Sequence, residues 1–280
     1  MLKLLERTID SIEQRLVMIA PGTSPMAHHF RDVRIDPHHH SQLLQAAQRL
    51  RGSIYLEDGA IRPGDLSEDG RLQTPEDGRS WHLLMLDSIG RVSACVWYME
   101  HAATAVFDQL RARHTPLASH EHWRSVLWRA VESELARARH HKLRYAEIGG
   151  WAVAEHSRCS CEGVLLALAA FSLGRIGNGT LGMTTATVRH ASATILRRLG
   201  GAPLEADGAA IPLYFDPRYQ CQMELLRFDS RMPSRKYERL IDRLKDRLSH
   251  VTVLATTPLL GTGPQAWQDA ALPDAQWAAA

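Results

Sequence analysis

Tyr145-Ala146-Glu147-Ile148-Gly149-Gly150-Trp151-Ala152-Val153-Ala154 opens the stretch, Arg144 to Gly201, whose reading decides the fold of this chain. It is an apolar run carrying one carboxylate, and it predicts a buried strand. A turn holding Arg158-Cys159-Ser160-Cys161-Glu162-Gly163 follows it. Next come an apolar helical pattern over Val164 to Leu173, a second strand over Thr180 to Val188, and a short helix over Ala191 to Leu199 closed by Gly200-Gly201. Strand, turn, helix, strand, helix is a βαβα order. At the first turn, unpaired backbone N–H groups and the helix dipole face whatever sits there. Arg158, Ser160, Cys161, Glu162, Gly163 and Val164 therefore form a candidate anion seat suited to a pyrophosphate or a phosphopantetheine phosphate. The plain alternative is a strand–helix turn with a surface arginine.

Upstream, Leu2 to Ile19 predicts an amphipathic helix, with Leu5, Ile9, Ile12 and Leu16 at three- and four-residue spacing and Pro21-Gly22 ending it. Pro25 to Pro37, with His28-His29 ahead of His38-His39-His40, reads as a solvated loop. Adjacent histidines do not match zinc-ligand spacing, so no metal is expected. Ser41 is expected to cap a helix over Gln42 to Leu50, and Ser53 to Leu56 to form a short strand ahead of a turn-dense loop reaching Ser80. Trp81 to Leu86, the turn Asp87 to Gly90, and Arg91 to Met99 make a hairpin. His120 to His140 is helical, with Arg137, Arg139 and Lys142 near its C-terminal end. Downstream, Ile211 to Phe215 and Cys221 to Phe228 read as strands, Ser234 to Leu248 as an amphipathic helix, and Val251 to Leu254 as a last strand. The division this implies is a helical extension over residues 1–50, a core over 51–230, a helix and strand over 231–260, and a loose tail over 261–280.

The 280 residues carry a net charge of +2 and four cysteines, with no Cys-x-x-Cys. Nearly neutral charge gives no indication of a nucleic-acid partner. Few, scattered cysteines fit reduced thiols in a cytoplasmic protein. No run approaches the roughly 18 to 20 apolar residues that span a bilayer.

The order of elements resembles the GNAT acyltransferases. That family has a strand, an Arg/Gln-x-x-Gly-x-Gly/Ala turn, a helix, a strand and a short helix ending in Leu-Gly-Phe. Arg158-x-x-Cys161-x-Gly163 matches the first and last positions of the turn, Leu199-Gly200-Gly201 matches part of the helix end, and the hairpin Trp81 to Met99 matches the second and third strands. The resemblance covers roughly Ser53 to Phe228. It implies an α/β (α+β) fold with a GNAT-like mixed central sheet flanked by helices, plus an extra N-terminal helix and a C-terminal amphipathic helix. Two positions depart from the pattern. Cys161 replaces the middle glycine, where a β-carbon crowds a tightly held pyrophosphate. Leu196 stands where the family commonly has a tyrosine.

Ile54-Tyr55-Leu56-Glu57-Asp58-Gly59, Ser80-Trp81-His82-Leu83-Leu84, Gly90-Arg91-Val92-Ser93-Ala94-Cys95 and Glu147-Ile148-Gly149 are more similar to the branch of N-acyl amino acid synthases and acyl-homoserine lactone synthases. Those enzymes take a fatty acyl chain, usually from acyl carrier protein, to an amino-acid amine. Gly150 replaces the arginine of the lactone synthases' Glu-x-x-Arg. The resemblance implies acyl-phosphopantetheine, on carrier protein or coenzyme A, as donor substrate with no tightly bound cofactor, and a small-molecule amine as acceptor. Glu147 is then the candidate base, with a backbone N–H near Trp151 to Val153 stabilising the thioester oxygen. Arg124, Arg129, Arg137, Arg139, Lys142 and Arg175 offer a face to an acidic carrier protein. Cys159 or Cys161, as a thiol at a helix start, suggests a covalent route instead. An acetyl-coenzyme A dependent N-acetyltransferase and a catalytically silent binding module are the alternatives.

Overall fold

The computed structural model of the chain describes residues 2–22, 29–158 and 160–257. Its elements run in the order α1 (Leu2–Asp10), β1 (Leu16–Ile19), β2 (Val33–Ile35), α2 (Pro37–Glu57), β3 (Trp81–Leu86), β4 (Val92–His101), α3 (Pro116–Ser119), α4 (Trp123–His140) and β5 (Arg144–Val153). Then follow α5 (Glu162–Gly174), β6 (Thr180–Thr187), α6 (Ser192–Leu199), β7 (Ala202–Pro203), β8 (Glu205–Ala206), β9 (Ala209–Ala210), β10 (Tyr214–Asp216), β11 (Cys221–Asp229), α7 (Glu238–Leu248) and β12 (Thr252–Ala255). One mixed sheet runs β10-β11-β6-β5-β4-β3-β1-β12-β2, with β7 beside β11. β5 with β6, β1 with β12, and β12 with β2 are parallel, and the other neighbours in the sheet are antiparallel.

The alternation of strand side chains divides the core. One face buries Leu83, Met85, Val96, Tyr98, Ala146 and Leu226 against α1, α5 and α7. Helix α5 is apolar all round because it is sandwiched between the sheet and α7, and nearly all of its residues are buried. The other face carries two smaller clusters. One lies under α3 and α4, around Leu127, Val131, Tyr145 and Met183. The other lies under α2, around Leu43, Ala47, Leu84 and Cys95. Among the described residues, no helix is long and apolar enough to cross a membrane.

Several expected elements are replaced. The helix expected over Leu2 to Ile19 ends at Asp10, and Leu16–Ile19 is a strand paired with β3 and β12. Four consecutive apolar residues fit a strand buried in the sheet, and tertiary pairing overrides the helical spacing that Leu16 shares with Ile12. Ser53 to Leu56 is no strand but the last turn of α2, which begins well before Gln42 and takes in His38, His39 and His40. Asp36 rather than Ser41 caps it: the Asp36 carboxylate accepts from the His39 N–H at 2.9 Å, and Pro37 supplies the first helical residue. The strand expected over Ile211 to Phe215 starts at Tyr214, because Pro212 has no N–H for a ladder. The tail over 261–280 lies outside the described residues.

Candidate active site

Strands β5 and β6 pair only from Arg144 with Thr180 to Glu147 with Met183. This closed end is tied by buried polar contacts. Arg144 pairs with Glu100 and donates to the carbonyls of Gly174 at 3.3 Å and Ile176 at 2.5 Å. The Tyr98 hydroxyl donates to Thr180 Oγ1 at 3.0 Å. Burial pushes the Glu100 carboxyl up, against the pull of Arg144. Past Met183 the two strands diverge, each held by its outer neighbour. β4 keeps β5 as far as Val153, and β11 keeps β6 as far as Thr187. At the point of divergence the Thr184 hydroxyl donates to the Ile148 carbonyl at 2.6 Å.

A bulge in β5 sits at the same place. Trp97 pairs with Gly149 and Cys95 with Ala152, so β5 carries one extra residue against β4. Gly150 takes up the distortion with φ of +62°. A β-carbon on Gly149 or Gly150 would overlap the Trp97 indole, so both glycines are set by close approach. The extra residue reverses the alternation of the strand. Glu147 faces the α4 side with Tyr145, whereas Trp151 and Val153 face the α5 side, although their spacing along an unbroken strand would put all three on one face.

Arg51 stands beside Gly150 and pairs with Asp77 at 2.6 and 2.8 Å, both side chains being buried. Burial raises the Asp77 carboxyl, but the charge and hydrogen bonds of Arg51, with the Thr74 N–H, outweigh it and hold the group below the usual carboxylate range. The ring of His82 contacts the Asp77 carbonyl at 2.9 Å, and burial pushes the imidazole down to about 4.

The divergence opens a cavity of about 1750 Å³. At one end lies Glu147, which is 4% exposed. Its two carboxylate oxygens accept from the Arg111 backbone N–H at 2.9 and 3.0 Å, and Oε2 lies 2.9 Å from His101 Nε2. Arg111 also pairs with Glu76 at 2.5 Å and lays its guanidinium over the Trp97 ring at 5.3 Å. Apolar side chains line the cavity as well, Ala167 and Phe171 from α5, Ile195, Leu196 and Leu199 from α6, and Phe228 from β11. At the mouth stand Arg158, Arg189 and His190.

The expected anion seat is already furnished by the chain. The Ser160 hydroxyl donates to the Ser157 carbonyl at 2.7 Å and accepts from the Glu162 N–H at 3.1 Å. Glu162 turns inward to Arg15 and accepts from Ser93 Oγ at 2.8 Å. Burial raises its carboxyl, but hydrogen bonds from Arg15 and Ser93 outweigh it and hold it below the usual range, so a carboxylate sits at the start of α5. Cys161 Sγ lies 3.7 Å from Thr8 Oγ1, and Cys159 lies outside the described residues. A β-carbon on Gly163 would lie 3.1 Å from Val153 Cγ2 and 3.4 Å from the Trp151 indole, so that glycine serves helix–strand packing. Gly163 and Val164 line the cavity, as do Trp151 and Val153; Trp151 Nε1 is buried with no hydrogen-bond partner among the described residues. Of the basic residues expected to face a carrier protein, Arg129, Arg137, Arg139 and Arg175 pair with Asp207, Glu134, Glu132 and Asp242.

A parallel pair that splays beside a helix-opening turn, reached from an antiparallel hairpin, is the arrangement of one known fold. The chain has the GNAT acyltransferase fold. A CoA-dependent acyl-homoserine lactone synthase, BjaI, solved with SAM and isopentyl-CoA, superposes with a TM-score of 0.50 at 15% identity, over 88% of this chain and 95% of that one. FeeM, an N-acyl amino acid synthase from uncultured soil microbes, gives 0.44 at 14% identity, over 71% of this chain and 88% of its own. The acyl-homoserine lactone synthase LasI gives 0.44 at 14%, over 68% and 84%. No family model matches the sequence, and no curated protein matches it.

Within this GNAT-fold chain, sequence reasoning singled out Glu147 but missed its partners. His101 is the last residue of β4 and pairs with Tyr145, two residues from Glu147 on the same face. Extending the hairpin by two residues in register would have found it. Arg111 contributes a backbone N–H from a 3-10 turn, for which no residue type is diagnostic.

Proposed function

We propose that the chain is an N-acyltransferase that moves an acyl chain from a phosphopantetheine thioester to the amine of an amino acid or similar small molecule. The observation that carries this reading is one cavity, beside the point where β5 and β6 part, lined both by the buried carboxylate Glu147 and by apolar side chains of α5, α6 and β11. A pantetheine arm laid in that gap finds the strand edges of β5 and β6, which no longer bond each other. Its thioester then lies near the point of divergence, and the acyl chain lies along the apolar lining of Phe171, Leu199 and Phe228. A lining of that character favours a chain longer than acetyl.

The acceptor amine approaches from the Glu147 side. It attacks the thioester carbonyl, the C–N bond forms, and the tetrahedral intermediate collapses with loss of the C–S bond. Glu147, directly or through a water, first takes a proton from the acceptor's ammonium to free the lone pair that attacks, and the second proton lost from that nitrogen goes to the departing sulfur, which leaves as the thiol. His101 and the Arg111 N–H hold its carboxylate in place. A backbone N–H on the freed edge near Trp151 to Val153 stabilises the oxyanion. Arg158, Ser160, Gly163 and Val164, which line the cavity, flank the phosphate end of the donor, while Cys161 and Glu162 are turned away to Thr8 and Arg15. Either coenzyme A or acyl carrier protein can present this arm; the crowded turn at Cys161 and Glu162 favours a donor that asks little of the pyrophosphate seat. Mass spectrometry of lipid extracts from expressing cells is expected to reveal new N-acyl amino acids. Their absence, with folded protein and a supply of acyl thioesters, overturns the proposal.

A further inference from the structure

The C-terminal end of α2 crosses the mouth of the cavity. Arg158 Nη2, from the β5–α5 turn, lies 3.3 Å from Glu57 Oε2 and 3.7 Å from Asp58 Oδ1. From the β6–α6 turn, His190 Nε2 lies 3.7 Å from the same Asp58 oxygen, and Arg189 Nη2 donates to the Asp58 carbonyl at 2.6 Å. The Tyr55 hydroxyl approaches the Trp151 carbonyl at 3.5 Å. One acidic helix end thus bridges the two turns that flank the diverging strands. Tyr55, Asp58, Arg158, Arg189 and His190 all line the cavity.

The bridge is built to be released. Glu57 is 52% exposed at its side chain, Arg158 37% and His190 53%, so solvent screens each pair. The turn that carries the second anchor is strained, since His190 and Ala191 both have positive φ, 62° and 60°.

We infer that the Glu57 and Asp58 carboxylates are an internal counter-anion, and that a phosphate-bearing ligand enters the cavity by exchanging with them on Arg158 and His190, with Arg189, held by the carbonyls of Asp58 and Tyr219, beside them. The ligand class is a phosphate or diphosphate ester. Its identity as the acyl donor rests on the acyltransferase reading, whereas the exchange itself does not. An uncharged arm takes no part in the exchange and neither gains nor loses by it. Glu57 and Asp58 therefore compete with a phosphate-bearing ligand for the same basic groups.

Titration calorimetry of the full chain with inorganic pyrophosphate, coenzyme A and phosphate-free pantetheine tests this, comparing the wild type with the double variant Glu57→Gln/Asp58→Asn. Removing two screened counter-charges is expected to tighten pyrophosphate and coenzyme A by about fivefold and to leave pantetheine unchanged. Glu57→Gln alone, at a half-exposed position, is expected to tighten both phosphate ligands by about twofold, and guards against misfolding of the double variant. Pyrophosphate that binds no tighter to the variants, or binds to none of the proteins, overturns the inference. Equal tightening of pantetheine also overturns it, since the bridge then acts as a steric cover alone. If pyrophosphate responds as expected while neither coenzyme A nor pantetheine binds, the exchange stands and the acyltransferase reading falls.

Discussion

The two halves of the β5–β6 pair are made from the same strands and behave oppositely. From Arg144 to Glu147 the strands bond each other, and Arg144, Glu100, Tyr98 and Thr180 tie the end shut. From Ile148 to Val153, the ladder partners of β5 lie on β4 alone, and the Thr184 hydroxyl on the Ile148 carbonyl is the last tie to β6. Both halves are rich in apolar residues, so hydrophobicity does not separate them. What separates them is one extra residue at Gly150, the indole of Trp97 packed on it, and the Arg51–Asp77 pair behind it. The cavity is therefore held open from its β4 flank, by a bulge whose Gly150 and Trp97 also form part of its wall.

The largest expected effect comes from removing that flank. Asp77→Ala leaves the buried Arg51 guanidinium unpaired and is expected to cost about 3–5 kcal/mol of stability. Urea unfolding measures it, and a loss below about 1 kcal/mol would mean that the pair does not support the bulge. Gly150→Ala comes next. Positive φ and overlap with the Trp97 indole together are expected to cost about 2–3 kcal/mol, while Ala at Gly59, which also has positive φ but open space around it, costs only about 1 kcal/mol. Equal losses at the two glycines would remove Trp97 from the account.

The same flank makes stability depend on pH. The folded protein holds His82 near 4, below the ordinary histidine value of about 6.5, so the unfolded chain takes up the proton first as pH falls. Stability is full above about pH 6.5 and declines toward pH 4, and Asp77, also depressed, adds its loss below the ordinary carboxylate range. Urea midpoints measured across pH 4 to 8 are expected to fall on the acid side, and a flat profile over that window would contradict the buried, uncharged imidazole. The smallest effect is expected at the exposed mouth. Arg158→Ala should change stability by less than about 1 kcal/mol and raise KM for a phosphate-bearing thioester by less than about tenfold.

The closed half was the easier half to read. The apolar run from Tyr145, the hairpin from Trp81 and the helix after Glu162 carry strong periodic signals, and the resulting order of elements was enough to suggest the fold. The open half depends on a bulge, and Gly149-Gly150 alone does not say which partner will crowd it. Glu147 was legible because a carboxylate in an apolar strand is unusual. Its holders were not, since one is a backbone N–H and the other lay just beyond the drawn end of a strand. Glu162 illustrates the reverse case. Its place at a helix start suggested an anion seat, yet Arg15, from a segment expected to be an amphipathic helix, reaches it from the edge of β1. Pairing between distant segments decided both, and no local pattern encodes it.

Release of free thiol from acyl-coenzyme A in the presence of amino acids tests the central claim most directly, with wild type and Glu147→Gln compared at equal donor affinity. The account predicts amine-dependent release by the wild type and a loss of about 100-fold or more in kcat for the variant, whose amide still accepts from the Arg111 N–H but takes no proton. Folded wild type that releases no thiol with any amine, or a Glu147→Gln variant as fast as the wild type, would contradict it.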